Sequence, residues 1–183
     1  RLNKVLANTL TCNSIYLRQI MQQYAAGKSD DLAYRLARRN AHNADAALST
    51  TLANMLMEPG HFRKEADVGF RFLVLSHTLL SYLSGLGAHR ETQLPADVRE
   101  QLIEGAGVKL AASIDEIAQG LASKQPIAIQ SDEEEALANE LEQMPDEIDE
   151  GQRLVQTQLA LICRQLGPLR TLAAHLIKDT SEA

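Results

Sequence analysis

Apolar residues recur at spacings of three and four along most of the chain, the period of a helix with one buried face. The series Leu2, Val5, Leu6, Thr9, Asn13, Tyr16, Ile20 and Tyr24 predicts a first helix over residues 2–26, closed by Gly27 as a left-handed cap. Ser29 or Asp30 then caps a second helix at about 31–57, with Asp31 favouring its positive start. On that helix Ala33, Leu36, Ala37, Asn40, Ala41, Ala44, Leu48, Thr51, Leu52 and Met55 share one face of mostly small residues, which lets a neighbouring helix approach closely. Arg35, Arg39, His42 and Asp31 lie opposite, and Glu58-Pro59-Gly60 ends the element, because proline cannot continue the ladder.

A third helix, about 63–86, repeats Ala66, Phe70, Leu73, His77, Leu80 and Ser84, with Gly85 and Gly87 loosening its end. Pro95 suits the first turn of a fourth, 96–123, which carries Val98, Leu102, Ile103, Leu110, Ile114, Ile117 and Leu121; Gly105 and Gly107 mark a kink midway. Ser131 with Glu134 makes a capping box for a short helix to Gln143. The last helix, about 151–178, keeps a seven-residue repeat through Val155, Leu159, Ile162, Leu166, Leu169, Ala173 and Leu176, a pattern of bundle packing, and Gly167-Pro168 is expected to bend it. The predicted fold is all-α: a bundle of five to six amphipathic helices forming a single domain over 1–183, with an acidic connecting segment at 124–150.

A chain of 183 residues is long enough to bury one substantial core. Its 10 glycines and 5 prolines are too few for a many-turned β sandwich. The longest apolar stretch, Phe70 to Leu80, is broken by Arg71, Ser76, His77 and Thr78, short of the roughly 18 apolar residues a membrane span needs. Charge is uneven: residues 1–90 hold 11 Lys/Arg against 6 Asp/Glu, and 91–183 hold 7 against 18. The acidic total speaks against nucleic acid as a partner. Ten acids lie between Asp132 and Glu150, read as a solvated or mobile loop; a divalent-cation or basic-partner site is the sharper alternative, but the spacing matches no calcium loop. Cys12 and Cys163 have no partner at metal-ligand spacing and read as reduced, core-facing thiols.

Candidate chemistry fails position by position. Gly27-Lys28-Ser29 resembles the end of a phosphate loop, yet Gln22 stands where that motif needs glycine, and no strand precedes it. Glu58 and His61 have the spacing of a di-iron ligand pair, but Pro59-Gly60 interrupts the helix and no second copy exists. His61 with Glu65, and His42 with Asp45, offer two ligands each, too few for a defined metal site. His77 falls on the apolar stripe of the third helix and is expected to be a hydrogen-bonded core histidine. Around Ser81 to Gly85 the nucleophile-elbow glycine is missing. No catalytic residue, cofactor or metal is expected. The basic side of the second helix, Arg35, Arg38, Arg39 and His42, is either a solvated face or a seat for an anion or lipid headgroup.

The stretch from Tyr34 to Ser49 (YRLARRNAHNADAALS), with Met55-Leu56-Met57-Glu58-Pro59-Gly60 downstream, resembles the C-terminal cytoplasmic region of YccS/YhfK-type bacterial inner-membrane proteins of the fusaric-acid-resistance-like (FUSC) superfamily. The match is clearest over about residues 13–90. It implies a cytoplasmic module on an inner-membrane efflux protein for organic, often aromatic, acids, with membrane helices before Arg1 and the transport path mostly within them. A chain that opens on Arg1, already in helical period at Leu2, fits a piece of a longer polypeptide. The basic first half suits a membrane-proximal cytoplasmic position. Carried onto this sequence, the motif singles out Arg35, Arg38, Arg39, Asn40, His42, Asn43 and Asp45, for helix-to-helix hydrogen bonding or for anion contact. Non-enzymatic assembly into a homo-oligomer is the expected mode of action. One rival is a cytosolic helical adaptor or signalling module that captures a protein partner through its acidic segment, and a second is a helical enzyme or metal-binding bundle.

Overall fold

The computed structural model describes residues 2–26, 31–60 and 63–181, which form six helices and no strand. They are α1 (Leu2–Ala26), α2 (Asp31–Met57), α3 (Arg63–Ala88), α4 (96–123), α5 (Asp132–Glu142) and α6 (Glu150–Ser181). The all-α bundle expected from periodicity is therefore present. The proposed caps at Gly27, Ser29 and Asp30, and His61, lie outside the described residues.

α1, α3, α6 and α4 close a ring in which each packs on the next. Their shared centre is filled by Leu6, Leu10, Leu17, Ile20, Phe72, Leu79, Ile114, Leu159 and Leu166, all fully buried. Two helices sit outside the ring: α2 lies on α1 and α3, and α5 lies on α6. α1 reaches three helices because its apolar band is broad, and its polar members are used across the contact: Ser14 donates to the Ala111 carbonyl at 3.3 Å, and Arg18 pairs with Asp115 at 2.6 Å.

α4 is unbroken, but Glu100–Gly107 is a π-helical stretch between α-helical turns at Ala96–Arg99 and Val108–Ser123. The kink expected at Gly105 and Gly107 is thus a widened turn. Gly107 has no room for a side chain, because Met21 of α1 occupies the space a Cβ would take.

In α6 every position of the predicted seven-residue repeat is buried, and the helix continues through Gly167 and Pro168, which are exposed. The stripes of α2 and α3 differ from expectation. α2 buries Tyr34, Ala37, Ala41, Ala44, Leu48 and Leu52, whereas Ala33, Leu36 and Asn40 face outward. α3 buries Ala66, Gly69, Phe72, Ser76, Leu79 and Leu83, which leaves His77 exposed at the helix edge and not in the core. Both faces are rotated because close approach decides them: Gly69 meets Leu52, and Gly87 leaves its Cβ position to the Tyr34 hydroxyl, 2.5 Å away.

The acidic segment is more ordered than the loop reading expected. The Ser131 hydroxyl accepts from the Glu134 amide at 3.3 Å, as the capping box requires, and four acids occupy the first turn of α5, where the helix dipole favours them. The reciprocal half of the box is absent, since the Glu134 side chain turns to Arg170 instead. Leu137, Ala138 and Leu141 seat α5 on α6.

Cys163, on the face of α6 that meets α5, is buried, and its thiol donates to the Glu134 carbonyl at 3.3 Å. Burial, reinforced by nearby Glu134, pushes this thiol from its ordinary 9.0 up to about 12. The unfolded chain therefore loses this proton before the folded one does, so its contribution to stability is whole below about pH 9 and declines toward pH 12. At pH 8 a disulfide exchange reagent is expected to label Cys12 in the native protein and Cys163 only after denaturation. Two equally fast thiols would contradict this packing.

Candidate functional site

The seven polar motif residues occupy the outer side of α2, and the structure divides them. Two tie α2 to α3: His77 Nδ1 and Asp45 Oδ2 lie 2.8 Å apart, and His42 Nε2 is 3.5 Å from the Ser84 hydroxyl. Asp45 is half-buried, which its mate His77 compensates in part, while its second oxygen is enclosed without a partner. Arg35, Arg38, Arg39, Asn40, His42 and Asn43 are exposed. Arg38 and Arg39 join none of the ion pairs among the described residues. The motif is thus neither one buried network nor one converged pocket.

On the same outer side Leu32, Leu36, Arg39, Asn43, Ala46, Thr50, Ala53 and Met57 alternate at four and three residues, and all are exposed. That is the spacing of a packing seam, and it runs opposite the seam already buried against α1 and α3. Leu32 is 58% exposed, Leu36 47% and Met57 85%, and no charge interrupts the line from Asn43 to Met57.

Beneath the basic end of α2 lies an aromatic cluster. The Tyr16 and Tyr34 rings are 5.9 Å apart, and the Arg90 guanidinium stacks 4.4 Å above Tyr34. Tyr24 donates to the Leu86 carbonyl at 2.7 Å. Burial pushes the Tyr16 hydroxyl up to about 12, partly opposed by the Ser84 side chain and more weakly by Arg38. Periodicity placed Tyr16 and Tyr24 on the buried face of α1, but it left Tyr34 off the predicted face of α2 and gave no sign of their meeting. The available signal was Gly87, a helix-end glycine that lets a ring edge reach the backbone.

A second polar centre escaped sequence reading. Arg170 of α6 is 1% exposed and holds two carboxylates, Glu134 of α5 through Nε and Nη2, and Glu116 of α4 through Nη1 and Nη2; Nη1 also donates to the Ala128 carbonyl at 3.3 Å. Arg164, one heptad position nearer the surface, binds Glu135, Glu142 and Asn139. The signal was a second buried line at seven-residue spacing, Gln156, Cys163, Arg170 and Ile177. These bonds neutralise acids that the sequence left as a free charge run.

Among the described residues no three His, Cys, Asp or Glu converge to hold a metal, and no helix is long and apolar enough to cross a membrane. What the geometry defines is an all-α bundle with an exposed face of basic and small residues on α2. Three relatives are similar to part of its sequence. Over 90 residues the chain is 46% identical to the inner membrane protein YccS of Escherichia coli, which covers 49% of this chain and 13% of YccS. Over 105 residues it is 46% identical to an uncharacterized protein of Haemophilus influenzae, covering 57% of this chain and 15% of that protein. Over 87 residues it is 33% identical to an uncharacterized protein, ORF2, of Neisseria gonorrhoeae, covering 47% and 21%. The chain thus spans about a fifth or less of the length of these relatives. No family model and no solved structure matches it.

Proposed function

We propose that this chain is the cytoplasmic module of a FUSC-like inner-membrane efflux protein for organic acids, and that it acts by assembly and not by catalysis. The observation that carries the reading is the 46% identity to an inner membrane protein over about half the chain. Two features agree with it: the cationic bias of residues 1–90, suited to the cytoplasmic side of a membrane, and the exposed α2 seam, suited to a second copy.

The seam also sets the direction of pairing. In a parallel pair Arg39 would meet Arg39, which like charge disfavours. An antiparallel pair crossing at Ala46 and Ala47 brings Leu36 of one copy to Met57 of the other and Arg39 toward the opposite helix C-terminus and Glu58, where a cation is favoured. The small residues at the crossing permit close approach. The rest of the basic side, Arg35 and Arg38, remains beside the seam for a membrane surface or an anionic solute. Capture of a protein partner by the acidic segment is less well supported, because Glu134, Glu135 and Glu142 are already held by arginines of α6.

The location is tested on the full-length membrane protein with a protease site inserted after Gln125, in the exposed turn before α5. Cleavage is expected in inverted inner-membrane vesicles and not in intact spheroplasts. Cleavage in spheroplasts alone, or a protein that fractionates away from the membrane, would overturn the reading.

A further inference from the structure

The last turn of α1, the connection after α3 and the first turn of α4 enclose a half-open polar cleft of about 510 Å³. That lies within the roughly 300–1,000 Å³ typical of small-molecule sites. Two arginines line it, Arg90 and Arg99. We propose that this cleft is a phosphate-binding site, with one phosphate group held between the Arg90 and Arg99 guanidinia.

The contrast with Arg164 and Arg170 decides the assignment; partly exposed Arg153, which also pairs with no carboxylate among the described residues, donates instead to the Pro145 and Asp146 carbonyls. In a chain of net charge −6, Arg164 and Arg170 each hold two carboxylates. Arg90 and Arg99, both only partly exposed, hold none among the described residues. Arg90 is pre-positioned without a counter-ion among the described residues: its plane rests on Tyr34, Nη1 donates to the Gly87 carbonyl at 3.0 Å, and Nε is enclosed with no acceptor among them. An enclosed guanidinium N–H without an acceptor marks a place where a water or an ion belongs. Gln23, Thr92 and Gln93 add polar groups to the wall. Glu91 also borders the cleft, but it has an interaction of its own.

Two fork-shaped cations suit a group with several oxygens and nearly two negative charges, which describes a phosphate monoester near neutral pH. A single carboxylate would leave one guanidinium uncompensated. The phosphate could belong to a soluble monoester or to a lipid headgroup, and the chemistry at the two arginines is the same.

Calorimetric titration of the 183-residue chain with inorganic phosphate, and flotation with phosphatidylcholine vesicles containing phosphatidic acid, separate these sources. Binding of inorganic phosphate supports a soluble ligand, and binding to the vesicles alone supports a headgroup. In either case R99Q is expected to weaken binding roughly tenfold or more, with an unchanged thermal unfolding midpoint, while R71Q, at an exposed position of α3, leaves binding as it was. Acetate binding as tightly as phosphate, loss of binding in R71Q but not R99Q, or no binding to either probe would overturn the site. None of these outcomes depends on whether the chain self-associates.

Discussion

Arg170→Ala is expected to lower the stability of the bundle by about 3–5 kcal/mol, the range for breaking a buried ion pair on one side. Glu134 is the reason: its side chain is only 11% exposed, and Arg170 supplies its charged partner. Without the guanidinium the carboxylate stays enclosed between α5 and α6 with no cation to answer it. Glu116, 60% exposed, turns to water at little cost and contributes much less. The loss is large against a typical total of about 5–15 kcal/mol, and α5 is expected to detach first because its other holds on α6 are three apolar side chains and the more exposed bonds of Arg164 to Glu135, Asn139 and Glu142. R170K keeps the charge but not the fork that reaches Glu134, Glu116 and the Ala128 carbonyl together, so it is expected to recover only part of the loss. The double variant R170M/E134Q removes both charges and is expected to regain most of it. Denaturant unfolding checks all three, and an R170A loss below about 1 kcal/mol would mean that Glu134 escapes to solvent.

The second large effect is on assembly. Ala46→Glu places a carboxylate at the proposed crossing point of two α2 helices, where the same residue of the second copy stands opposite. Facing like charges cost several kcal/mol, so association is expected to fall by about a hundredfold or more. The folded monomer should be untouched: residue 46 is exposed, and glutamate is a good helix former, so the cost lies within about 0.5 kcal/mol. A seam roughly 40 Å long and 10 Å wide covers about 400 Å² per copy, which is small for a specific interface. A dissociation constant on the order of 10–100 μM is therefore expected for the chain by itself.

The helix inventory was legible because long amphipathic segments announce themselves by period, and α6 most clearly, where every repeat position is a large apolar side chain or an alanine. The faces of α2 and α3 were harder. Alanines and glycines carry little hydrophobic signal, so the vector is swayed by single residues such as Leu36 and His77, both of which lie outside the core. What fixes the rotation is contact made possible by absent atoms, at Gly69 and Gly87. Arg170 was hidden for the opposite reason: a charged residue on a buried line looks like an error until its two glutamates, 36 and 54 positions away, are brought beside it. Arg90 and Arg99 gave no sequence signal, since their significance lies in the carboxylate partners they lack among the described residues.

The most direct test of assembly is sedimentation velocity of the 183-residue chain from about 5 to 500 μM, beside A46E. Self-association across that range that is absent in A46E, with matching circular dichroism, is the expected result. A chain that stays monomeric throughout, or an A46E variant that associates as strongly as the parent, would contradict α2 as the assembly face.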